Sequence, residues 1–116
     1  MAFDANLVER VRELLVVHQP NVAEQKMMGG ITFMVNDKMC VGVKNDDLMC
    51  RIHPNAYEQS LQRPACRPMT MGGKAMKGYV FIAPEGTASD EDLRFWVELA
   101  LAFNPFAQAS KKKKTA

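Results

Sequence analysis

Between residues 26 and 53 the chain reads KMMGGITFMVNDKMCVGVKNDDLMCRIH, with apolar side chains recurring at every second position. Such alternation marks strands, because successive side chains along a strand point to opposite faces. Three apolar sets follow one another: Ile31, Phe33 and Val35, then Met39, Val41 and Val43, then Leu48, Cys50 and Ile52. Asn36 with Asp37, and Asn45 with Asp46, stand where the chain must reverse. The pattern predicts a β-meander. Bringing all nine apolar residues onto one face requires Val35 opposite Met39 and Val43 opposite Leu48. That predicts a bulged three-residue loop at 36–38 and a two-residue loop at Asn45 and Asp46. A two-residue turn at Asn36 and Asp37 would set Val35 against Lys38 and break the shared face. The other face carries Thr32, Met34, Cys40, Gly42, Met49, Arg51 and His53, a mixed set that is neither clearly wet nor clearly dry.

Helical spacing governs the two ends of the chain. Leu7, Val8, Val11, Leu14 and Leu15 form one stripe after a capping Asp4, and Pro20 stops that helix after His18. Residues 22–27 read as a first strand, and Gly29 with Gly30 makes a bend that β-branched residues resist. Pro54 suits the first turn of a second helix that runs to about residue 62. Residues 66–71 read as a strand whose Pro68 confines it to an edge or a bulge. Gly72 and Gly73 reverse the chain, and GYVFIA at 78–83 reads as a more central strand. Ser89 and the acidic run after it open a last helix with the stripe Leu93, Trp96, Val97, Ala100 and Leu101, ended by Asn104 and Pro105. The predicted order is α-β(4)-α-β(2)-α, an α+β two-layer sandwich with the first and last helices over the nine-residue face. Nothing is left to cover Met34, Cys40 and Met49, so these three are the candidate surface for self-association as a homodimer.

Composition adds bounds. The 116 residues suit one domain, and 47% apolar with 24% charged residues is ordinary for a globular chain. The expected division is a folded body at 1–106 and a basic, disordered tail at 107–116, because AQASKKKKTA has no apolar material to bury. No apolar run approaches the ~18–20 residues of a membrane span, and no secretory signal opens the chain. A cytoplasmic protein without membrane contact is expected.

Catalytic chemistry finds little support. The three cysteines, Cys40, Cys50 and Cys66, lack metal-ligand spacing, and the two histidines, His18 and His53, lie far apart. Buried free thiols account for the cysteines. Cys40 shares the predicted face of His53, which leaves a thiolate–imidazole contact as the one conceivable nucleophilic site. No cofactor, metal or enzymatic activity is expected. A basic stretch does stand out. Arg67, Lys74 and Lys77 have no acidic neighbours between 67 and 77, and Lys111, Lys112, Lys113 and Lys114 follow at the tail. Together they offer sequence-independent, salt-sensitive contacts to nucleic acid, or else a solvated loop and a solubilising tail.

The segments KMMGGITFMVNDKMCVGV, DDLMCRI and KAMKGYVFI, in this order after an amphipathic helix, resemble the N-terminal domain of the TfoX/Sxy family. The resemblance spans nearly the whole body. Its most specific residues are Lys26, Met27, Met28, Gly29 and Gly30, where the family often has an aromatic at Met28, then Arg51 in its strand, then Lys77 and Gly78. It implies a two-layer α+β fold similar to that of secretion chaperones. It also implies a non-enzymatic, competence-related regulatory role exercised through a protein partner, with transcription machinery as the expected target. Longer members carry a second, helical domain after this one, which does not follow here within the 116 residues. The family brings no catalytic residue set.

Overall fold

A computed structural model describes residues 4–18, 22–27, 30–71 and 73–107. Helix α1 spans Ala5–His18, strands β1 to β4 span Val22–Met27, Gly30–Val35, Lys38–Lys44 and Asp47–Arg51, and α2 spans Pro54–Leu61. Strands β5, Cys66–Met71, and β6, Lys74–Ile82, precede α3, Asp90–Phe103. This is the α+β order expected from the pattern. The six strands form one antiparallel sheet in the order β1-β2-β3-β4-β6-β5.

Each helix begins where a side chain satisfies an orphan backbone donor. Asp4 Oδ1 accepts from the Asn6 and Leu7 amides at 2.9 and 3.2 Å. Ser89 Oγ accepts from the Asp92 amide at 3.1 Å. His53 Nδ1 accepts from the Asn55 amide at 3.0 Å, directly ahead of Pro54. His53 is thus an N-cap, a role more often filled by Ser, Thr, Asp or Asn.

All three helices pack on one side of the sheet. Leu7, Val8, Val11 and Leu15 from α1, Tyr57 from α2, and Leu93, Trp96, Val97 and Ala100 from α3 join Phe33, Val41, Val43, Leu48, Cys50, Ile52, Val80 and Ile82 in a single core. Each fully buried large side chain contributes about 1.5–3 kcal/mol by leaving water. At the rim, Arg10 pairs with Asp90 and His18 with Glu98, tying α1 to α3. Arg12 holds Glu24 through two bonds of 2.6 and 2.8 Å, tying α1 to edge strand β1 and keeping the Glu24 carboxyl below its ordinary range.

One register expectation is corrected. Val35 pairs with Lys38, so Asn36 and Asp37 form a two-residue turn, both in the left-handed region at φ 54 and 67°. Positive φ at both central residues is the type I′ geometry that matches strand twist. The conflict that argued against this turn is resolved within β3. The ladder shifts between Phe33 and Met34, which pair with Val41 and Met39, leaving Cys40 as an extra residue. A bulge of this kind resets the alternation, so Val41 and Val43 return to the helix side. Met39 opposes Met34 and leaves the nine-residue face, while Cys40 joins the helix-side core. Lys38 is accommodated because its Nζ reaches the carbonyl oxygens of Asn104 and Pro105 at 3.1 and 3.5 Å. The second turn is as expected, with Val43 opposite Leu48.

Strand β6 is longer than GYVFIA suggested and bends. Pro68 pairs with Val80 but Thr70 with Ala75, so several residues of β6 bulge against β5. Gly78 lies in that bulge at φ +92°, where a side chain would be strained. Its carbonyl accepts from the Ile52 amide at 2.7 Å. Pro68 therefore sits on an edge strand beside a bulge, the two settings a strand proline tolerates.

Candidate functional site

Among the described residues no helix covers the other face of the sheet, which is the first candidate surface. Cross-strand pairing sets Thr32, Gly42, Met49, Phe81 and Arg67 in one row across β2, β3, β4, β6 and β5. Gly42 leaves room that matters here: a Cβ added to it would stand 3.1 Å from the Met49 methyl and 3.5 Å from Thr32 Oγ1. Met49 lies in that gap. Met34, Met49 and Met69 are buried, at 8%, 4% and 5% exposure, yet none belongs to the helix-side core. Met49 and Met69, together with half-buried Phe81, line a shallow apolar depression bordered by Lys44. Arg67 closes one end of the row. Its guanidinium lies 5.1 Å from the Phe81 ring centre and 2.6 Å from Asp47.

Of the three residues expected on this face, Met34 and Met49 are on it and Cys40 is not. The bulge turns Cys40 inward, and burial pushes its thiol up to about 12, against a smaller opposing pull from Arg51. Cys50, whose Sγ lies 3.8 Å from the Trp96 carbonyl, is raised further by full burial. Neither thiol is disposed to ionise near neutrality. His53, meanwhile, is exposed and engaged in capping α2. Cys40 and His53 thus lie in different environments, and the thiolate–imidazole arrangement does not form. Among the described residues no three His, Cys, Asp or Glu side chains cluster as metal ligands. No helix among them is long and apolar enough to cross a membrane.

A second surface lies at the end of the sheet near the C-terminus of α3. Arg51 and Tyr79 pair across β4 and β6, and the Arg51 guanidinium stands 5.5 Å from the Tyr79 ring centre and 5.8 Å from that of Phe103. His53 meets Phe103 edge-on at 5.5 Å and Phe106 at 6.3 Å. Asn104 anchors this end. It is buried, donates to the Val35 carbonyl at 3.1 Å and accepts from Asn36 at 3.3 Å.

The basic residues singled out from sequence are spread out. Arg67 is committed to Asp47 and Phe81, whereas Lys74 stands opposite Met71 at the far end of β5. Met71, the partner of Lys74, is four strand positions from Arg67, roughly 13 Å at 3.3 Å per residue. Lys74 and Lys77 are exposed, and the lysines at 111–114 lie outside the described residues.

With this geometry in view, one comparison decides the relationship. The family model of the TfoX N-terminal domain matches residues 14–104, which is most of the chain. The chain belongs to the TfoX N-terminal domain family. No curated protein and no solved structure matches it. Within this TfoX N-terminal domain, the residues that carried the resemblance acquire physical roles. Gly30 is a strand residue at close quarters, since a Cβ there would overlap the Val43 carbonyl oxygen. Gly78 supplies the left-handed bend of β6, and Arg51 joins the aromatic cluster. Lys26 is exposed on β1, while Met28 and Gly29 lie outside the described residues, as does Gly72.

Sequence reasoning missed Met69, Phe81, Tyr79, Phe103 and Phe106 as surface elements. Met69 and Phe81 were legible in part, because strand parity places Phe81 opposite Val80 and Ile82. The aromatic cluster had no local signal, since it joins β4, β6 and the end of α3 across more than fifty residues of chain.

Proposed function

We propose that this TfoX N-terminal domain is a small, non-enzymatic regulatory module that works through protein contacts and associates with a second copy of itself across the helix-free face. The observation that carries this reading is the set of Met34, Met49, Met69 and Phe81, which lies outside the helix-side core, with Met49, Met69 and Phe81 lining one apolar depression. Methionine is flexible and polarizable, and it suits a surface that must adapt to a partner. A two-fold pairing brings the same patch against itself, so the apolar depression would be its own complement. Membership in the TfoX N-terminal domain family supports a competence-related role in which the module influences transcription through a protein partner.

Phe81→Glu tests the face with little risk to the monomer, because Arg67 already stands over that ring and offers the new carboxylate a cation. Met49 is less suited, since it is buried in the single chain and a charge there would also destabilise the monomer. Light scattering after size exclusion should give a dimer for the wild-type chain and a monomer for Phe81→Glu, with unchanged circular dichroism. A wild-type monomer, or a dimer indifferent to Phe81→Glu, removes this face from consideration.

A further inference from the structure

The two edges of the sheet are finished differently. Strand β5 carries Pro68 and faces the bulge in β6, two devices that keep an edge from pairing. Strand β1 has neither. Its ladder to β2 runs unbroken through six pairs, from Val22 with Val35 to Met27 with Gly30, and among the described residues no strand pairs with its outer edge. About half of its backbone donors and acceptors therefore point outward.

The side chains of β1 decide what can lie beside it. Glu24 stands opposite Phe33 and Lys26 opposite Ile31, so both project to the helix side, whereas Ala23 and Gln25 project to the other. Glu24 receives two bonds from Arg12, at 2.6 and 2.8 Å, yet a carboxylate offers about four acceptor positions. Lys26 is exposed and makes no ion pair with a described residue. Val16, 67% exposed, lies one turn beyond Arg12 on the same face of α1 and adds apolar surface beside the strand.

A second copy of β1 laid antiparallel must keep each residue opposite one that projects to the same face, which leaves few registers. A two-fold axis at Glu24 or at Lys26 opposes like charges, and one at Ala23 leaves Lys26 beyond the end of the other strand. An axis at Gln25 alone sets Glu24 of each copy against Lys26 of the other. We infer that β1 is a joint for a second copy of this chain, which pairs antiparallel about Gln25, continues the sheet and brings its Lys26 to Glu24. A joint one strand wide falls at the low end of interface size, below about 1,200 Å². It is separate from the helix-free face, weaker than a face-to-face dimer, and links such dimers at high protein concentration.

Disulfide trapping reads the register directly. The full chain with Cys66→Ala retains only buried native thiols. In it, Gln25→Cys should cross-link to its own copy on mild copper–phenanthroline oxidation, because residues opposed across an antiparallel pair stand about 4.5–5.5 Å apart, inside the disulfide range. Ala23→Cys, whose copy lies about 13 Å away along the strand, should not. Adding Lys26→Glu opposes carboxylates twice and should slow trapping at Gln25→Cys about threefold or more. Adding Phe81→Glu should leave trapping unchanged, so this joint and the helix-free face are judged separately. Trapping that is no faster at Gln25→Cys than at Ala23→Cys, that ignores Lys26→Glu, or that disappears with Phe81→Glu overturns the inference.

Discussion

The two faces of the sheet are built from different apolar alphabets. Toward the helices stand Phe33, Val35, Val41, Val43, Leu48, Ile52, Val80 and Ile82, each essentially inaccessible to water. Toward the other side stand Met34, Met49 and Met69 with Thr32 and Phe81. Branched and aromatic residues have few rotamers and specify one packing. Methionine has three rotatable side-chain bonds and fills whatever space it meets. In β2 every residue from Gly30 to Val35 is buried, so burial alone does not separate the faces. The chemistry of the side chains does. Stiff residues define the fold, and pliable ones make up the face proposed above for association.

The largest expected effect comes from a truncation on the covered side, set against volume-conserving swaps at two methionines on the other. Trp96→Ala on the covered side should cost about 3–5 kcal/mol in urea denaturation, because a large fully buried ring leaves a cavity that the core cannot refill. Met34→Leu and Met49→Leu should each cost less than about 1.5 kcal/mol. Equal losses on the two faces would mean that the methionine face is as rigid as the core.

Alkaline pH probes the covered side chemically. Burial raises Cys40 to about 12 and Cys50 well above the ordinary thiol value, so the unfolded chain releases these protons first. The thiols oppose nothing below the ordinary thiol range. Above it, stability should fall by up to about 1.4 kcal/mol per pH unit for each buried thiol, until the folded state also ionises. Cys40→Ala should flatten that decline relative to wild type, as read from urea midpoints across the alkaline range. In the native protein, half-exposed Cys66 should react with a thiol reagent well before Cys40 or Cys50.

Asn104 links the core to the aromatic end. Asn104→Ala removes the donor to the Val35 carbonyl and should cost about 1–3 kcal/mol, the usual penalty for a buried polar group left without its partner.

Element order and the helix-covered face were legible because both are local. Caps at Asp4 and Ser89, Pro54 at the start of α2 and the period-two alternation all act over a few residues. Register at the first hairpin was not legible. Pattern matching assumed an unbroken β3, and a three-residue loop was then the only way to keep Met39 with Val41. The chain instead uses the preferred two-residue turn, one extra residue at Cys40 and two distant carbonyl oxygens to receive Lys38. Those carbonyls belong to Asn104 and Pro105, some sixty-six residues away, beyond the reach of any local rule. The same holds for the aromatic cluster, whose rings meet only after α3 folds back to the β2–β3 turn.

The smallest effect concerns that turn, where the parity of both faces is set. Asn36 and Asp37 occupy left-handed conformations that L-residues enter at a cost, least so for Asn and Asp. Asn followed by Gly is the preferred pair for this geometry, so Asp37→Gly relieves the second position. The gain is partly cancelled because glycine also enlarges the conformational freedom of the unfolded chain. A net stabilisation of about 0.5 kcal/mol is expected, read as a higher urea midpoint with an unchanged slope. Asn36→Ala should move the midpoint the other way by about 1 kcal/mol, since alanine has neither the left-handed tolerance nor a side chain to reach Asn104. If Asp37→Gly lowered the midpoint instead, the two-residue turn would not be what sets the register. Cys40 would then not be needed to restore the alternation, and the separation of stiff and pliable residues onto two faces would need a different cause.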